Sequence, residues 1–229
     1  MPVYLLTDEL LFPPPHLAEE GGLLAVGGDL SIERLLLAYS SGIFPWYSDG
    51  EPILWWSPDP RLVLYPNELK VSGSLRKILK KQAFRVTIDT AFPQVITACA
   101  SIRESTWIID EMIQAYCRLH EAGYAHSVEV WQDSELAGGL YGVSLGHCFF
   151  GESMFSRRSN ASKVALYHLV EHVKTLRFDL IDCQVTSDHL LSLGAREIPR
   201  RQFLAEVKES LKSPTIKGKW EQQMLHETR

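Results

Sequence analysis

Three consecutive strands, a helix and a further strand run through the second half of the chain, and this order constrains the fold most. Two polar residues separate the strand-like stretches HSVEVWQ and ELAGGLYGVSL, and a single glycine separates the latter from HCFFGESMF. Turns this short join neighbouring strands in antiparallel order. Asn160 can cap the helix that follows, and the apolar run FDLIDCQV then predicts another strand. The sequence therefore predicts an antiparallel meander, then a helix, then a strand that returns beside the meander.

This order of elements is typical of the α+β fold of GNAT-type N-acyltransferases. Residues 1–62 differ, because a helix capped by Ser31 is followed there by a loop rich in proline and tryptophan. We therefore expect a GNAT-like catalytic domain at residues 63–229 and a small N-terminal α/loop domain at residues 1–62. The polar tail from Ser213 is expected to fray. Element order does not establish an activity, so the function must be argued from particular side chains.

The composition is that of an ordinary globular protein, with 45% hydrophobic and 22% charged residues among 229. Acidic residues interrupt the N-terminus at Asp8 and Glu9, and no apolar run approaches the roughly 20 residues that span a bilayer. The four cysteines form no C-x-x-C pair and have no histidine at finger-like spacing. We expect a cytoplasmic protein that binds neither a membrane nor a metal.

One short region is strongly basic, although the net charge of the chain is −5. From Lys70 to Arg85 there are six basic and no acidic residues. Ser74 is expected to cap a helix at Leu75–Lys81. The basic residues that share its polar face are Arg76, Lys77, Lys80 and Lys81. Basic residues clustered on one face are typical of proteins that bind a phosphate backbone, and a solvated surface is the alternative.

Two predicted strand ends carry acidic and amide groups inside apolar runs. Side chains alternate faces along a strand, so Asp182 and Gln184 are expected on one face and Cys183 on the other. By the same rule Glu152 and Met154 are expected to share a face. A buried carboxylate is costly unless it is paired or used, so two of them in one domain predict a functional site.

The turn between the meander and the helix bears on the acyl carrier. Acetyltransferases of this fold hold the pyrophosphate of coenzyme A in a glycine-rich turn at this point, but residues 156–161 contain no glycine. Coenzyme A is therefore disfavoured. Trp46 and Trp107 stand in predicted loops, where each could stack on a base or pack into the core.

Several long stretches of low degeneracy carry a family resemblance. They are GLLAVGGDLS, AYSSGIFPWYSDGEPILWWSPDPR, YAHSVEVW, GGLYGVSLG, GESMFSR-x-x-NASK, LIDCQV and HLLSLGAREIPR. They cover about residues 12–203, and through them the chain resembles the leucyl/phenylalanyl-tRNA–protein transferases. The resemblance implies transfer of Leu or Phe, with Met as a third candidate, from aminoacyl-tRNA to proteins that begin with Arg or Lys. The product carries an N-terminal degradation signal.

The resemblance also implies a site. The terminal adenosine of the tRNA lies between Trp46 and Trp107, and the basic helix face holds the acceptor stem. An apolar pocket takes the Leu or Phe side chain, and its walls include Met154, Leu166, Leu169 and Ile181. Leu169 stands where relatives can have an aromatic residue, which leaves the preference between Leu and Phe open.

The chemistry follows from these implied substrates. The aminoacyl ester is already activated, so no cofactor, ATP or metal is expected. Asp182 is predicted to take the proton of the acceptor amine, and Gln184 to orient that amine and polarise the ester. Glu152 is predicted to hold the amine of the aminoacyl group or the cationic acceptor side chain. The structural alternatives are a salt bridge between Glu152 and Arg157 and a strand-end cap at Asp182.

Two other functions remain as alternatives. A coenzyme A-dependent N-acyltransferase would need the glycine-rich turn, which residues 156–161 lack. A non-catalytic tRNA-binding protein would need only the basic helix and the tryptophans.

Overall fold

The computed structural model describes residues 3–102 and 106–220, and in these residues two β-sheets are covered by seven α-helices. The strands are β1 Tyr4–Leu6, β2 Leu23–Gly27, β3 Phe44–Pro45, β4 Leu54–Trp56, β5 Arg61–Leu64, β6 Arg85–Ile88, β7 Ala125–Gln132, β8 Glu135–Leu145, β9 Cys148–Ser156, β10 Leu180–Gln184 and β11 Arg196–Ile198. The helices are α1 Ile32–Ser40, α2 Gly73–Lys80, α3 Phe92–Ser101, α4 Asp110–Glu121, α5 Ala161–Thr175, α6 Asp188–Ser192 and α7 Arg200–Ser210. None of the helices in this described part of the chain has the length and apolar character that a membrane span requires.

The larger sheet has the strand order β11-β5-β10-β9-β8-β7-β6. Strands β7, β8 and β9 form the predicted antiparallel meander. After α5 the chain returns as β10, which pairs with β9 in parallel over Leu180–Asp182. This topology confirms the predicted α+β, GNAT-like class.

The N-terminal half is more regular than predicted. Helix α1 begins after Ser31, whose side chain accepts a hydrogen bond from the amide of Arg34, as expected. The segments predicted as loop contain short strands that form a second sheet, in the order β1-β2-β4-β3. Strands of two to five residues are too short for a period-two pattern to stand out. The domain boundary at residue 62 falls inside β5, and the division at that point stays a prediction.

Two of the predicted helix caps are wrong. Helix α2 begins two residues earlier than expected, because Ser72 rather than Ser74 accepts the bond from the amide of Leu75, at 3.2 Å. Asn160 precedes α5 as predicted, but its backbone is left-handed (φ 67°) and its side chain does not cap the helix. An N-cap side chain typically bonds to the N3 amide from an extended backbone, such as that of Ser72.

The tail is ordered where it is described. Trp220 is fully buried, and its ring stacks on that of His126 with centroids 3.8 Å apart. The amide of Trp220 donates to Asp89 Oδ2 at 2.8 Å. The prediction of a frayed tail from Ser213 is therefore wrong for residues 213–220, and residues 221–229 lie outside the described range.

The apolar side chains form two cores, one on each face of the larger sheet. The first core contains Phe150, and the second contains Phe149. Strand β9 then gains an extra residue, because Ser153 pairs with Tyr141 while Gly151 pairs with Gly142. Such a bulge reverses which face the following side chains occupy.

Glu152 is the bulged residue, and this overturns one expectation. Its carboxylate contacts Tyr39 and Tyr116 of the first core, whereas Met154 packs against the second. The prediction that Glu152 and Met154 share a face is therefore wrong, because it assumed an unbroken strand. Because of the bulge, the side chains of Glu152 and Met154 point to different faces of the sheet although they are two positions apart.

The bulge depends on a glycine, so we expect Gly142→Ala to destabilise the protein by about 1–3 kcal/mol. An added Cβ would lie 2.2 Å from the carbonyl oxygen of Phe150 and 2.6 Å from the ring of Phe149. Gly73→Ala is the control, since nothing lies within 4 Å of its Cβ. Denaturant unfolding of both variants is the measurement, and equal free energies of unfolding would contradict the expectation.

Candidate active site

A cavity of about 680 Å³ lies between the N-terminal segment and the C-terminal ends of β9 and β10. It opens where the parallel pairing of these strands stops, at Phe150 and Asp182. Beyond this point β9 stays with β8 and β10 stays with β5, so the two strands separate. Nine of the predicted site residues line this one cavity: Trp46, Trp107, Glu152, Met154, Leu166, Leu169, Ile181, Asp182 and Gln184.

Glu152 lies at the centre of a hydrogen-bond network. Its Oε1 accepts from Tyr39 Oη at 2.8 Å and from Gln184 Nε2 at 2.9 Å, and its Oε2 accepts from Tyr116 Oη at 2.9 Å. The oxygens of the two tyrosine hydroxyls also contact each other. Burial raises the pKa of Glu152 to about 7, against the opposing effect of these three bonds. The site therefore holds a carboxylate that changes charge near neutral pH.

Asp182 is fully buried and paired with an arginine that the sequence did not single out. Its two oxygens accept from Arg61 Nε at 2.8 Å and Arg61 Nη2 at 2.7 Å. Its Oδ1 also accepts from the amide of Gln184 at 2.9 Å. Of the two structural alternatives, a strand-end cap at Asp182 is therefore present. The salt bridge between Glu152 and Arg157 is not formed, and Arg157 instead packs over the ring of Phe155.

Gln184 sits in an unusual backbone conformation. Its φ is 62°, and the register of β10 against β5 shifts between Asp182 and Gln184. Such a conformation is uncommon for a residue other than glycine and must be held by its surroundings. The hydrogen bond from the backbone N–H of Gln184 to Asp182 holds the backbone in place. The hydrogen bond from its side-chain Nε2 to Glu152 holds the carboxamide group in place. Cys183 packs against the second core, on the face opposite Asp182, as predicted.

The apolar part of the cavity is built by α5 and the two separating strands. Leu166 and Leu169 project from α5, Ile181 from β10 and Met154 from β9 beyond the bulge. The first three are buried and Met154 is half-buried. The predicted set is thus brought together into one apolar wall.

The two tryptophans lie at the rim. Trp46 is 41% exposed, follows β3, and its carbonyl accepts a bond from Trp56 Nε1 at 2.6 Å. Trp107 precedes α4 and is half-buried. An exposed aromatic ring at the mouth of a cavity is available for stacking.

The basic helix face is the one predicted group that does not line the cavity. Helix α2 packs beside α5, and the four basic side chains on α2 and at its C-cap are all exposed. They are Arg76, Lys77, Lys80 and Lys81. Any ligand that touches both the cavity and this face must extend well beyond the cavity.

Comparisons with known proteins agree with this organisation. A family model described as leucyl/phenylalanyl-tRNA protein transferase matches residues 63–208, and one described as the N-terminal domain of that family matches residues 28–59. A curated leucyl/phenylalanyl-tRNA–protein transferase of Syntrophobacter fumaroxidans is 61% identical over 225 residues, which is 96% of each chain. The enzyme of the same name from Syntrophus aciditrophicus is 62% identical over 224 residues, covering 96% of this chain and 94% of the relative.

Solved structures resemble the chain more distantly. An aminoglycoside acetyltransferase from a soil metagenomic sample is 12% identical, with a TM-score of 0.39 over 49% of this chain and 85% of that one. A GCN5-related N-acetyltransferase from Kribbella flavida is 10% identical, with a TM-score of 0.39 over 72% of this chain and 59% of that one.

Proposed function

We infer the chemistry of this chain from its cavity and from its family. The chain belongs to the leucyl/phenylalanyl-tRNA protein transferases. It transfers Leu or Phe from aminoacyl-tRNA to the amino termini of proteins. We propose that the acceptors begin with Arg or Lys, that Met is a third donor, and that the product carries a degradation signal. We also propose a cytoplasmic location, since both substrates are found there.

One observation carries the proposed mechanism: an apolar slot ends at a hydrogen-bonded carboxylate and amide, with tryptophans at its mouth. The Leu or Phe side chain fills the slot beside Leu169 and Ile181. The ester carbonyl then lies near Gln184, and the terminal adenosine reaches back to Trp46 and Trp107. This arrangement would hold the ester and the amine in reacting geometry, which can supply a large share of the rate.

The proton must leave the acceptor amine during the reaction. The amine nitrogen bonds to the carbonyl carbon, the bond to the ribose 3′-oxygen breaks, and that oxygen receives a proton. Asp182 was predicted to accept the proton of the amine, but both of its oxygens are held by Arg61. We propose Glu152 for this step. A carboxylate has roughly four acceptor positions. Three of those of Glu152 are taken by its three donors, so about one is left to accept a proton.

A transfer assay tests the proposed function. Leu-tRNA is incubated with peptides that begin with Arg, Lys or Ala and with an N-acetylated Arg peptide as control. Labelling of the free Arg and Lys peptides alone is expected. Labelling by acetyl-coenzyme A instead would support a coenzyme A-dependent acyltransferase, and tRNA binding without labelling would leave a binding protein.

The basic face of α2 is proposed to hold the acceptor stem, which predicts a strong effect of salt. The logarithm of the affinity for tRNA should fall with the logarithm of the salt concentration. Replacing Lys80 and Lys81 by Gln should make this negative slope shallower by about 2, because each lysine releases about one counterion. Binding titrations between low and moderate salt measure this slope. Lys208 and Lys212 are exposed lysines at the other end of the chain, and their replacement by Gln is the control. Equal slopes for the two double variants would contradict the assignment.

A further inference from the structure

We propose that Arg61 is a positioning residue for the transfer reaction, acting through Asp182 on Gln184 and through Phe44 on the loop that carries Trp46. This inference rests on the proposed function. No role was assigned to Arg61 by the sequence, and its side chain does not line the cavity.

The first contact links Arg61 to the reacting end of the cavity. Arg61 and Asp182 are both fully buried and are joined by two parallel hydrogen bonds of 2.8 and 2.7 Å. Asp182 in turn accepts from the amide of Gln184, whose left-handed backbone needs support. Arg61 therefore fixes the carboxylate that fixes the backbone of Gln184, and Gln184 donates its side-chain amide to Glu152.

The second contact links Arg61 to the opposite wall. Its guanidinium carbon lies over the rings of Phe44 and Phe203, 4.7 and 4.5 Å from their centres. Phe44 belongs to β3 and lies two residues before Trp46. One side chain thus connects the strand end that carries Gln184 with the strand end that carries the exposed tryptophan.

The chemistry of this contact requires arginine rather than any cation. A planar guanidinium can donate two parallel hydrogen bonds to the two oxygens of a carboxylate while its face packs on aromatic rings, whereas the ammonium of a lysine has neither the paired donor geometry nor a flat face. Stability alone is a weak reason to keep such a pair, since apolar replacements of buried ion pairs are often neutral or stabilising. Arg61 Nη1 is also buried without a hydrogen-bond partner among the described residues, which adds to the cost of the pair.

Arg61 also has an electrostatic effect on the network. The charge of Asp182 acts to raise the pKa of Glu152, and the paired guanidinium offsets that charge. Loss of the guanidinium should therefore raise the pKa of Glu152 further. The groups that face Glu152 are Tyr39, Tyr116, Gln184 and, at longer range, Asp182 and Tyr141.

The experiment compares Arg61→Lys with Arg61→Met in steady-state transfer assays across pH, with the folded fraction measured in parallel. Arg61→Lys should lower kcat per folded molecule by about 10²-fold, the cost of a small misplacement in an active site. Its KM for the acceptor peptide should change much less. Arg61→Met should lower kcat at least as much and should also move the acid limb of the kcat profile to higher pH.

Two further variants keep the test decisive. Arg61→Met combined with Asp182→Asn removes both charges, so it should fold more stably than Arg61→Met alone while kcat stays low. Arg34→Lys is the matched control. Arg34 is also fully buried, pairs with Asp29, and bonds to the carbonyl oxygens of Thr7 and Glu9 outside the cavity. It should lose stability and keep its kcat.

Several outcomes would overturn the inference. Arg61 would be only a stabilising residue if Arg61→Lys had the kcat per folded molecule of the wild-type protein. The same would follow if kcat recovered in the double variant. Absence of transfer by the wild-type protein would instead be a failure of the proposed function, so the two failures are distinguishable.

Discussion

Glu152→Gln is expected to lower kcat for transfer by about 10²–10⁴-fold, the usual range for loss of a positioned proton acceptor. The substitution keeps the size of the side chain and can keep bonds to Tyr39, Tyr116 and Gln184, so the cavity should stay intact. What it removes is the ability to accept a proton. Because the pKa of Glu152 is about 7, the wild-type kcat should rise with pH through an acid limb near 7, and this limb should be missing in the variant. Steady-state assays at saturating substrate, from roughly pH 5.5 to pH 8.5, would measure this acid limb. The range extends about 1.5 pH units to either side of the pKa.

The same substitution should stabilise the protein at high pH, which separates catalysis from folding. The folded pKa of Glu152 lies above its ordinary value of 4.5, so the folded state binds the proton more tightly than the unfolded state. Its contribution to stability is therefore fully present below about pH 4.5 and is lost as pH rises through 7. Glu152→Gln should gain about 3 kcal/mol of unfolding free energy at pH 8 and about 1 kcal/mol at pH 5.

Glu129→Gln is the control for the loss of kcat and of the acid limb. Glu129 is a fully buried carboxylate on β7 that accepts from the hydroxyls of Thr87, Thr90 and Ser127, and it does not line the cavity. It should leave kcat and the acid limb unchanged. An unaltered kcat in Glu152→Gln, or an acid limb that persists in it, would contradict the assignment of the proton to Glu152.

The part of the fold that was predictable from the sequence depends on local patterns. Strand-like stretches joined by short turns predicted the meander, and the apolar run FDLIDCQV predicted β10. These signals are read within one element, so they survive without knowledge of the tertiary structure. The strands of the N-terminal sheet escaped because they are too short to show a period.

The parts of the site that escaped depend on contacts between distant residues. Arg61 lies 121 positions before Asp182, and Tyr39 lies 113 positions before Glu152. Nothing local distinguishes these side chains from ordinary polar residues at the ends of elements. The bulge at Glu152 escaped for a related reason, because a single extra residue in β9 is visible only against the register of β8.

The burial of Trp220 near the end of the chain also depends on contacts with distant residues. Trp220 follows a polar, lysine-containing stretch, which argued for a frayed end. Its ring packs against the rings of His126, Phe149, His172 and Phe178, which come from distant parts of the chain. One signal could have corrected the prediction, since a tryptophan in a polar tail is a large apolar group that favours burial.

Replacing Trp46 and Trp107 together by Ala should weaken binding of aminoacyl-tRNA by about 5- to 150-fold. One stacked base contributes roughly 1–3 kcal/mol by alanine substitution, and because the two rings share the same adenosine, the effects of the two single substitutions should not simply add. A contact of this kind forms before the reaction and persists during it, so the loss should appear in KM while kcat at saturation changes little. Binding titrations and steady-state kinetics of the single and double variants would measure both quantities.

Trp131→Ala separates stacking on the substrate from a general loss of aromatic packing. Trp131 is half-buried, donates to Thr87 Oγ1 at 2.9 Å, and lies under the guanidinium of Arg85, away from the cavity. Its removal should lower stability without changing the affinity for tRNA. If the double variant binds aminoacyl-tRNA as the wild-type protein does, the adenosine does not lie between the two rings. In that case the slot must receive its amino acid from another direction, and the roles proposed for Gln184 and Glu152 would have to be reassigned with it.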